Sequence, residues 1–366
     1  MNPVPGRRRA PENWTLTVLI PAYNEASSIA ATIAAALNQT RPADRIVVVP
    51  NGCTDETAAI ARAYPVTVME LPKLAHRKSE ALNRAWHAYG RDSDVVVCLD
   101  ADTVLPPNAF ADWEEELWLD CLLGGSSSKF TMQAPDFLSR LQKAEFATWT
   151  DTALQRGRTS VLAGTGCAIS GEALRRVAAR DDREGPWCYT SATEDFELTY
   201  RIRELGFYCQ VSPTVRAYTD SMKDLRSLWN QRMKWQVGTV EDLLHIGVNR
   251  LTIRDWGQQL MGLLNAGLKA LWVAVIVGYA LMGSLQLIWF WFLLPVLFIA
   301  LDVKRATRIP HVDAKDFLIA ASFFPNELFM WMRAGWFTRS WVDVLASKIT
   351  KRSRDRWEAQ YQAEGV

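Results

Sequence analysis

The stretches TVLIPAY (residues 17–23), RIVVVP (45–50), VTVMEL (66–71) and DVVVCLD (94–100) decide the fold of this chain. Each is short, almost continuously apolar and rich in β-branched residues, and segments with the apolar spacing of helices separate them. Continuous apolar strands that alternate with helices are typical of a parallel sheet with helices on both faces. The sequence therefore predicts an α/β fold of the Rossmann-like kind up to about residue 220.

Polar residues follow three of these stretches at the point where each strand ends. They are Tyr23-Asn24-Glu25 after the first, Asn51-Gly52 after the second and Asp100-Ala101-Asp102 after the fourth. In open parallel sheets, ligands bind beyond the carboxyl ends of the strands. We therefore expect these three segments to meet at one polar site.

Composition and charge exclude several classes of protein. The 366 residues suit about two domains, and a net charge of only +1 argues against a nucleic-acid-binding protein. The six cysteines lie at least 21 residues apart and the four histidines are scattered, so neither a CxxC redox pair nor a zinc motif is present. No apolar signal peptide precedes the first strand. We therefore expect reduced thiols and a first domain in the cytoplasm.

The last third of the chain has a different composition. No residue from Ala270 to Leu301 is charged, and this stretch is too long for one membrane-spanning helix of about 20 residues. It predicts a membrane hairpin that starts near Leu263, turns at Gly283-Ser284 and lets Lys269 extend to the membrane surface. A buried helical pair of a soluble domain is the alternative. The hairpin contains a possible interface belt of Trp289, Phe290, Trp291 and Phe292, and both of its flanks are basic, which predicts that both ends are cytoplasmic.

Two further segments are expected to contact the membrane. The apolar stretch from Phe317 to Phe337 contains Pro325, Glu327 and Arg333, which favours an interfacial or re-entrant helix over a full span. The basic tail after residue 340 is expected to lie against anionic headgroups. The sequence thus predicts four regions: an arm (1–14), a catalytic domain (15–245), the membrane hairpin with interfacial helices (246–340) and a basic amphipathic tail (341–366). The C-terminal helices could also join copies into a homo-oligomer.

Three groups of residues could carry chemistry. Asp100 and Asp102 are hard oxygen ligands that suit a divalent cation on a diphosphate, although a solvated turn is the alternative. Thr193-Glu194-Asp195 opens a predicted helix, where capping is the alternative role. On a later predicted helix, Gln231, Lys234 and Trp235 share a face that suits sugar stacking, although a helical tryptophan is more often part of a core.

In this order, these elements resemble the family 2 glycosyltransferases of the GT-A fold. That family transfers a sugar from a nucleotide-sugar donor with inversion at the anomeric carbon, and the resemblance covers about residues 15 to 240. In this family the P-x-Y-N-E turn and the residue after the second strand hold the nucleoside. The corresponding residues here are Pro21, Ala22, Tyr23, Glu25 and Asn51, with Asp55 nearby.

The resemblance assigns roles to the remaining residues of the site. Asp100 and Asp102 would hold Mg²⁺ or Mn²⁺ on the donor diphosphate, and Asp195 would be the base, with Glu194 beside it raising its affinity for protons. The family's GK-x-x-ALN segment corresponds to Lys78, Ala81, Leu82 and Asn83, with Arg77 in place of its glycine. The small-residue loop under the donor sugar corresponds to Gly164, Thr165 and Gly166. The family's QxxRW motif, near acceptor and diphosphate, corresponds to Gln231, Lys234 and Trp235.

The resemblance implies an inverting, metal-dependent glycosyltransferase at the inner or plasma membrane, with its catalytic domain in the cytoplasm. A UDP-sugar is the favoured donor, but Asn51 stands where many members have an aspartate, which leaves the nucleobase open. Lys234 in place of the motif's arginine argues against processive synthesis. We expect a membrane lipid or lipid-linked glycan as acceptor. A protein side chain is the alternative, and so is a catalytically silent membrane scaffold of the same fold.

Overall fold

The computed structural model describes residue 11 and residues 13–132, 135–283, 293–350 and 356–364. It divides into two compact units. The sheet unit comprises Met1–Ala134 and Trp149–Ser221, and the helical unit comprises Pro135–Thr148 and Met222–Val366. Several predicted features lie outside the described residues: most of the N-terminal arm, the hairpin turn at Ser284, the aromatic belt at residues 289–292 and the tail at residues 351–355. The four predicted regions stay a prediction.

A mixed sheet of seven strands forms the sheet unit, in the order β3-β2-β1-β4-β6-β5-β7. Strand β6 runs antiparallel to β4 and β5, and the other neighbouring pairs are parallel, which confirms the mostly parallel α/β fold. The strands are β1 (Leu16–Ala22), β2 (Arg45–Pro50), β3 (Thr67–Val68), β4 (Val95–Cys98), β5 (Leu123–Thr131), β6 (Cys167–Ser170) and β7 (Tyr208–Tyr218).

The helices of the sheet unit cover both faces of this sheet. Side chains alternate along a strand, so Val18 and Ile20 of β1 pack with Ile33 and Trp113 on one face, whereas Leu19 packs on the other. The helices are α1 (Ile29–Leu37), α2 (Thr57–Arg62), α3 (Arg77–Ala85), which continues as a π turn (Trp86–Gly90), α4 (Ala109–Leu119), α6 (Gly171–Ala178) and α7 (Glu194–Glu204). Helix α5 (Phe137–Arg156) contributes residues to both units.

The helical unit has its own apolar core. One face of α8, with Leu228, Met233 and Val237, packs against Phe329 and Trp336 of α12. This packing means that a chain cut near residue 260 would lose the α12 side of that core, and we expect such a fragment to aggregate. The helices are α8 (Leu225–Ile246), α9 (Ile253–Leu281), α10 (Leu293–Ala306), α11 (Ala314–Ala321), α12 (Phe323–Thr350) and α13 (Arg356–Glu364).

Among the residues that the structure describes, α9 is the helix long and apolar enough to cross a membrane. No part of its apolar window is buried, and Leu260, Leu264, Leu268 and Leu271 are all exposed. This exposure argues against the alternative in which α9 is buried in a soluble domain. A single helix of this kind is nevertheless weak evidence for a membrane span.

Two details differ from the sequence-based expectation for this region. Lys269 does not extend alone to a surface: its ammonium group pairs with the carboxylate of Glu327 on α12 and lies 5.4 Å from the ring centre of Trp331. The predicted third apolar segment is two helices that separate at Ser322. Pro325 falls in the first turn of α12, where its missing N–H is not needed, and so does not break that helix.

Candidate functional site

The centre of the candidate site is the ammonium group of Lys78, which lies between two carboxylates. Lys78 is the second residue of α3, Asp100 follows β4, and Glu194 begins α7. The Lys78 Nζ atom lies 2.5 Å from Asp100 Oδ1 and 3.4 Å from Glu194 Oε1. Burial opposes the charge, but Asp100 and Glu194 outweigh it and hold the pKa of Lys78 well above its usual value. Three residues predicted from separate motifs are thus in direct contact.

Asp195 lies beside this group. Burial and the neighbouring Glu194 raise the pKa of Asp195 to about 6, although the Lys78 charge acts in the opposite direction. Its Oδ1 atom accepts a 2.8 Å hydrogen bond from the N–H of Phe196. Thr193 occupies the N-cap position of α7, but its side chain makes no capping hydrogen bond. The carboxylate of Asp195 is therefore suited to accept a proton near neutral pH.

Asp102 and Glu25 form the acidic side of the site. Burial raises the pKa of Asp102 to about 6, with further contributions from Asp100 and Asp220. Burial raises the pKa of Glu25 to about 7, and the charges of Asp102 and Asp100 act in the same direction. Two hydroxyl groups bond Asp102: those of Thr103 at 3.2 Å and Thr219 at 3.1 Å. Negative charge here exceeds what the surrounding protein neutralises.

The donor set of Asp100 and Asp102 suits a divalent cation only in part. Carboxylate oxygens are the hard ligands that Mg²⁺ and Mn²⁺ prefer, and mutual repulsion of the acids would fall if a cation bound. Within the described ranges, however, no cluster of three histidine, cysteine or acidic side chains is placed to hold a metal ion. A cation at these two residues would need further oxygen ligands, such as water or a diphosphate.

The Gly164-Thr165-Gly166 loop closes over the ion pair. A Cβ atom on Gly164 would lie 2.8 Å from Lys78 Nζ and 3.5 Å from both carboxylate oxygens of Asp100. Only glycine leaves this approach free. The hydroxyl group of Thr165 is buried, and among the residues that the structure describes it has no hydrogen-bond partner.

The P-x-Y-N-E turn is fastened to the segment after β2. Pro21 and Ala22 end β1 opposite Val49 and Pro50, and Asn24 has a positive φ of 53°. The Asn24 side chain accepts a 2.8 Å hydrogen bond from the N–H of Thr54. Tyr23 follows β1 directly, and the side-chain amide oxygen of Asn51 (Oδ1) accepts a 3.1 Å hydrogen bond from the N–H of Leu74.

Asp55, expected near the nucleoside, performs a structural task in this turn. Its carboxylate accepts hydrogen bonds from the N–H of Ala26 at 2.9 Å and from the N–H and hydroxyl groups of Thr57 at 3.0 and 2.5 Å. Thr57 in turn accepts a 2.7 Å hydrogen bond from the N–H of Glu25. The carboxylate of Asp55 therefore shapes the turn that carries Glu25.

The Gln231, Lys234 and Trp235 side chains belong to the helical unit, and their assignment to acceptor and diphosphate stays a prediction. Sequence reasoning missed Arg232, which is the buried centre of this segment. Its guanidinium group pairs with Glu145 at 3.0 Å, contacts the Gln231 side chain and lies 4.5 Å from the ring centre of Trp235. Lys234 Nζ lies 3.3 Å from the ring centre of Trp357.

Two staphylococcal enzymes are similar to this chain in sequence. The poly-beta-1,6-N-acetyl-D-glucosamine synthase of Staphylococcus aureus (strain COL) is 24% identical over 274 residues, which cover 72% of this chain and 64% of the relative. The enzyme of that name from Staphylococcus epidermidis is 24% identical over 242 residues, which cover 63% and 55%. The chain therefore spans less than two thirds of the length of these curated relatives.

A solved structure shares the fold. The mannosyltransferase of Pyrobaculum calidifontis, in complex with GDP-Man and Mn²⁺, superposes with a TM-score of 0.64 at 20% identity over 93% of this chain and 90% of that one. The family model described as "Glycosyltransferase like family 2" matches residues 11–238. Because that match spans more than half of the chain, the protein belongs to glycosyltransferase family 2 and has the GT-A fold.

Proposed function

We propose that this enzyme moves a sugar, with inversion, from a nucleotide-diphosphate sugar to a hydroxyl group of a membrane lipid or lipid-linked glycan. The observation that carries the proposal is the contact of Lys78 with both Asp100 and Glu194, beside Asp195. A cationic group, a pair of strand-end carboxylates and a base of raised proton affinity are the parts that such a transfer requires.

The donor end of the site would stabilise the leaving diphosphate. Asp100 and Asp102 would hold Mg²⁺ or Mn²⁺, which supplies positive charge for the diphosphate when bound. The ammonium group of Lys78 adds a second positive charge at the same place. The Gly164 backbone lies directly against this charge, where a side chain would not fit. Pro21, Ala22, Tyr23, Glu25 and Asn51 are the proposed nucleoside contacts.

The acceptor end needs a group that takes a proton as the hydroxyl oxygen attacks. Asp195 is that group in our proposal, since a pKa of about 6 leaves it ionised at neutral pH and still able to hold a proton during the reaction. Glu194 tunes Asp195 through its charge and also contacts Lys78.

The membrane part of the proposal is supported by α9, whose leucines face outward. An acceptor anchored in a bilayer would be presented next to a protein held at the same surface. The polymer after which the staphylococcal relatives are named supports a second acceptor of similar chemistry, the hydroxyl end of a growing N-acetylglucosamine glycan. We further propose that the sheet unit is cytoplasmic and that copies can associate through the C-terminal helices.

One experiment decides among the acceptors. The full-length enzyme in detergent would receive radiolabelled UDP-, GDP- and dTDP-sugars with Mn²⁺, and label would be counted separately in lipid extract, soluble oligosaccharide and protein. Label in the lipid fraction from one donor supports the proposal. Label in protein alone would assign the alternative acceptor. A catalytically silent scaffold would give no transfer and no metal-dependent nucleotide binding.

The membrane anchor has its own measurement. The full chain should float with liposomes that contain anionic lipid and should resist carbonate extraction. Replacing Leu264, Leu268 and Leu271 of α9 together by serine should weaken this association, because about 0.8 kcal/mol is lost for each CH₂ group withdrawn from the bilayer. Full recovery of the unaltered chain in a detergent-free supernatant would contradict the anchor.

A further inference from the structure

The Lys78 ammonium group occupies the position beside Asp100 at which a cation ligand would bind. Its Nζ atom lies 2.5 Å from Asp100 Oδ1, and the chain of Gly164 closes the opposite side so tightly that a Cβ atom there would reach 2.8 Å from the same nitrogen. Both Lys78 and Asp100 are only partly exposed, at 21% and 31% of their side-chain surface. Little space remains beside that Asp100 oxygen while the ammonium group stays in place.

Asp102 has a different environment. Within the part of the chain that the structure describes, no lysine or arginine pairs with its carboxylate, which two hydroxyl groups bond instead. Its charged neighbours are the acids Asp100 and Asp220, and its own charge raises the pKa of the nearby Glu25. The ammonium group of Lys78 therefore neutralises Asp100, whereas Asp102, the second proposed metal ligand, has no such partner among the described residues.

Glu194 offers the ammonium group a second partner. It lies 3.4 Å from Lys78 Nζ, and its side chain is 8% exposed. A lysine side chain is flexible enough to move toward this partner or toward an arriving diphosphate. It can therefore leave Asp100 without becoming a buried, unpaired charge.

We propose that Lys78 is the resting counter-ion of Asp100 and that a divalent cation binds fully only when the ammonium group is displaced toward Glu194 and the donor diphosphate. This inference rests on the proposed function. It makes Lys78 a positioning residue with two opposite effects. Without nucleotide it competes with the cation for Asp100, and with nucleotide it helps to hold the diphosphate on which the cation sits.

Mn²⁺ binding to the full-length protein in detergent tests this competition without any measurement of catalysis. Free Mn²⁺ would be followed by electron paramagnetic resonance, first alone and then with UDP or GDP. Lys78→Gln should bind Mn²⁺ roughly threefold to tenfold more tightly than the unaltered protein without nucleotide, because a like charge has been removed. With nucleotide this gain should disappear or reverse.

Two further variants control the result. Arg84→Gln removes a positive charge from the same helix, where the exposed Arg84 side chain pairs with Glu80, and it should leave Mn²⁺ affinity unchanged. Glu194→Gln removes the second partner, so the ammonium group should hold Asp100 more firmly and Mn²⁺ affinity without nucleotide should fall. Circular dichroism would confirm that each variant is folded.

The outcomes separate the two levels of the proposal. An unaltered protein that binds no Mn²⁺ even with nucleotide would overturn the metal site in the proposed function, and the inference with it. The inference alone would be overturned by a different pair of results. In that case the unaltered protein binds Mn²⁺, but without nucleotide the folded Lys78→Gln variant binds it no more tightly than Arg84→Gln does. Equal weakening with and without nucleotide would assign Lys78 a merely structural role and would also overturn it.

Discussion

The side-chain amide of Asn83 binds the backbone of Trp187 through both of its polar groups. Its nitrogen donates a 2.8 Å hydrogen bond to the carbonyl oxygen of Trp187, and its oxygen accepts a 3.0 Å hydrogen bond from the N–H of the same residue. Both residues are buried. A Cβ atom on Gly185 would collide with this amide, so the chain passes close beside it.

This contact explains why an asparagine stands in the ALN segment. Asn83 is on α3, five residues after Lys78, and Trp187 precedes α7, which carries Glu194 and Asp195. The amide therefore connects α3, which carries Lys78, to the segment that leads to α7 and the proposed base Asp195. Buried amides with both groups bonded define one arrangement of the chain, because any shift leaves a polar group unsatisfied.

Asp195→Asn should preserve donor binding but lower the transfer rate by about 10² to 10⁴-fold, the usual share of general-base catalysis. The amide keeps the size of the carboxylate and a carbonyl acceptor, yet it cannot take a proton. Glu194→Gln should cost less. Calorimetry of donor binding beside the transfer rate checks this, and unchanged transfer would exclude Asp195 as the base.

The transfer rate should fall about tenfold per pH unit below about pH 6. The pKa of Asp195 is raised to about 6, so the group gains its proton below that pH and ceases to be a base. The acidic limb should vanish in the residual activity of Asp195→Asn. Glu25→Gln is the matched control, since Glu25 also has a raised pKa, of about 7. If the fall in rate at acidic pH disappeared in Glu25→Gln and persisted in Asp195→Asn, the titrating group would be Glu25.

Asp102→Asn should reduce metal-supported transfer by at least about 100-fold and leave the fold intact, because it removes a ligand charge. EDTA should have the same effect on the unaltered enzyme, and added Mn²⁺ should restore it. Asp181→Asn, at an exposed carboxylate of the sheet unit, is the control. Full transfer by both the chelated enzyme and the Asp102 variant would refute the metal assignment.

Glu145→Gln should destabilise the protein by about 3 to 5 kcal/mol, since it leaves the buried Arg232 guanidinium without its anionic partner. The melting temperature in detergent measures the effect. Replacing both Glu145 and Arg232 by methionine should recover most of the loss. Arg339→Gln breaks a pair with Asp343 in which Arg339 is exposed, and it should cost less than about 1 kcal/mol. Equal effects of Glu145→Gln and Arg339→Gln would contradict the importance of the buried pair.

Arg77→Gly should be more stable than Arg77→Ala by about 1 kcal/mol, the reverse of their usual order in helices. Arg77 stands where the family pattern has glycine, and its φ of 46° lies in the left-handed region. Both variants lose the side chain, so their difference reports the backbone alone. Thermal unfolding measures it, and a more stable alanine variant would show that this conformation is not strained.

Local sequence patterns predicted the features that depend on neighbouring residues. Strand β2 has the predicted bounds, Arg45–Pro50, because its apolar run is continuous. Strand β3 is only Thr67–Val68, although six residues fit the strand pattern, because it lies at the sheet edge and pairs on one side. The strand-end acids were recognisable because parallel topology directs the ends of β1, β2 and β4 to one edge.

Partners distant in sequence could not be predicted. Arg232 and Glu145 are 87 residues apart, and Lys269 and Glu327 are 58 apart, so no local spacing links them. The same limit applies to the carboxylate of Asp55, whose hydrogen bond from Ala26, 29 residues earlier, could not be predicted from the sequence. Which residue pairs with a given charged side chain is determined by the fold.

The antiparallel direction of β6 brings a later part of the chain to the proposed site. Cys167, the first residue of β6, lies opposite Cys98, the last residue of β4, so the loop before β6 reaches the edge where β4 ends. Lys78 and Asp100 are synthesised long before this loop and before Glu194. A nascent chain that ends before residue 194 contains both residues of this ion pair but neither Glu194 nor the proposed base, Asp195. Since chains emerge from the N-terminus, the site gains its proposed base only when α7 has been synthesised, with strand β7 still to follow.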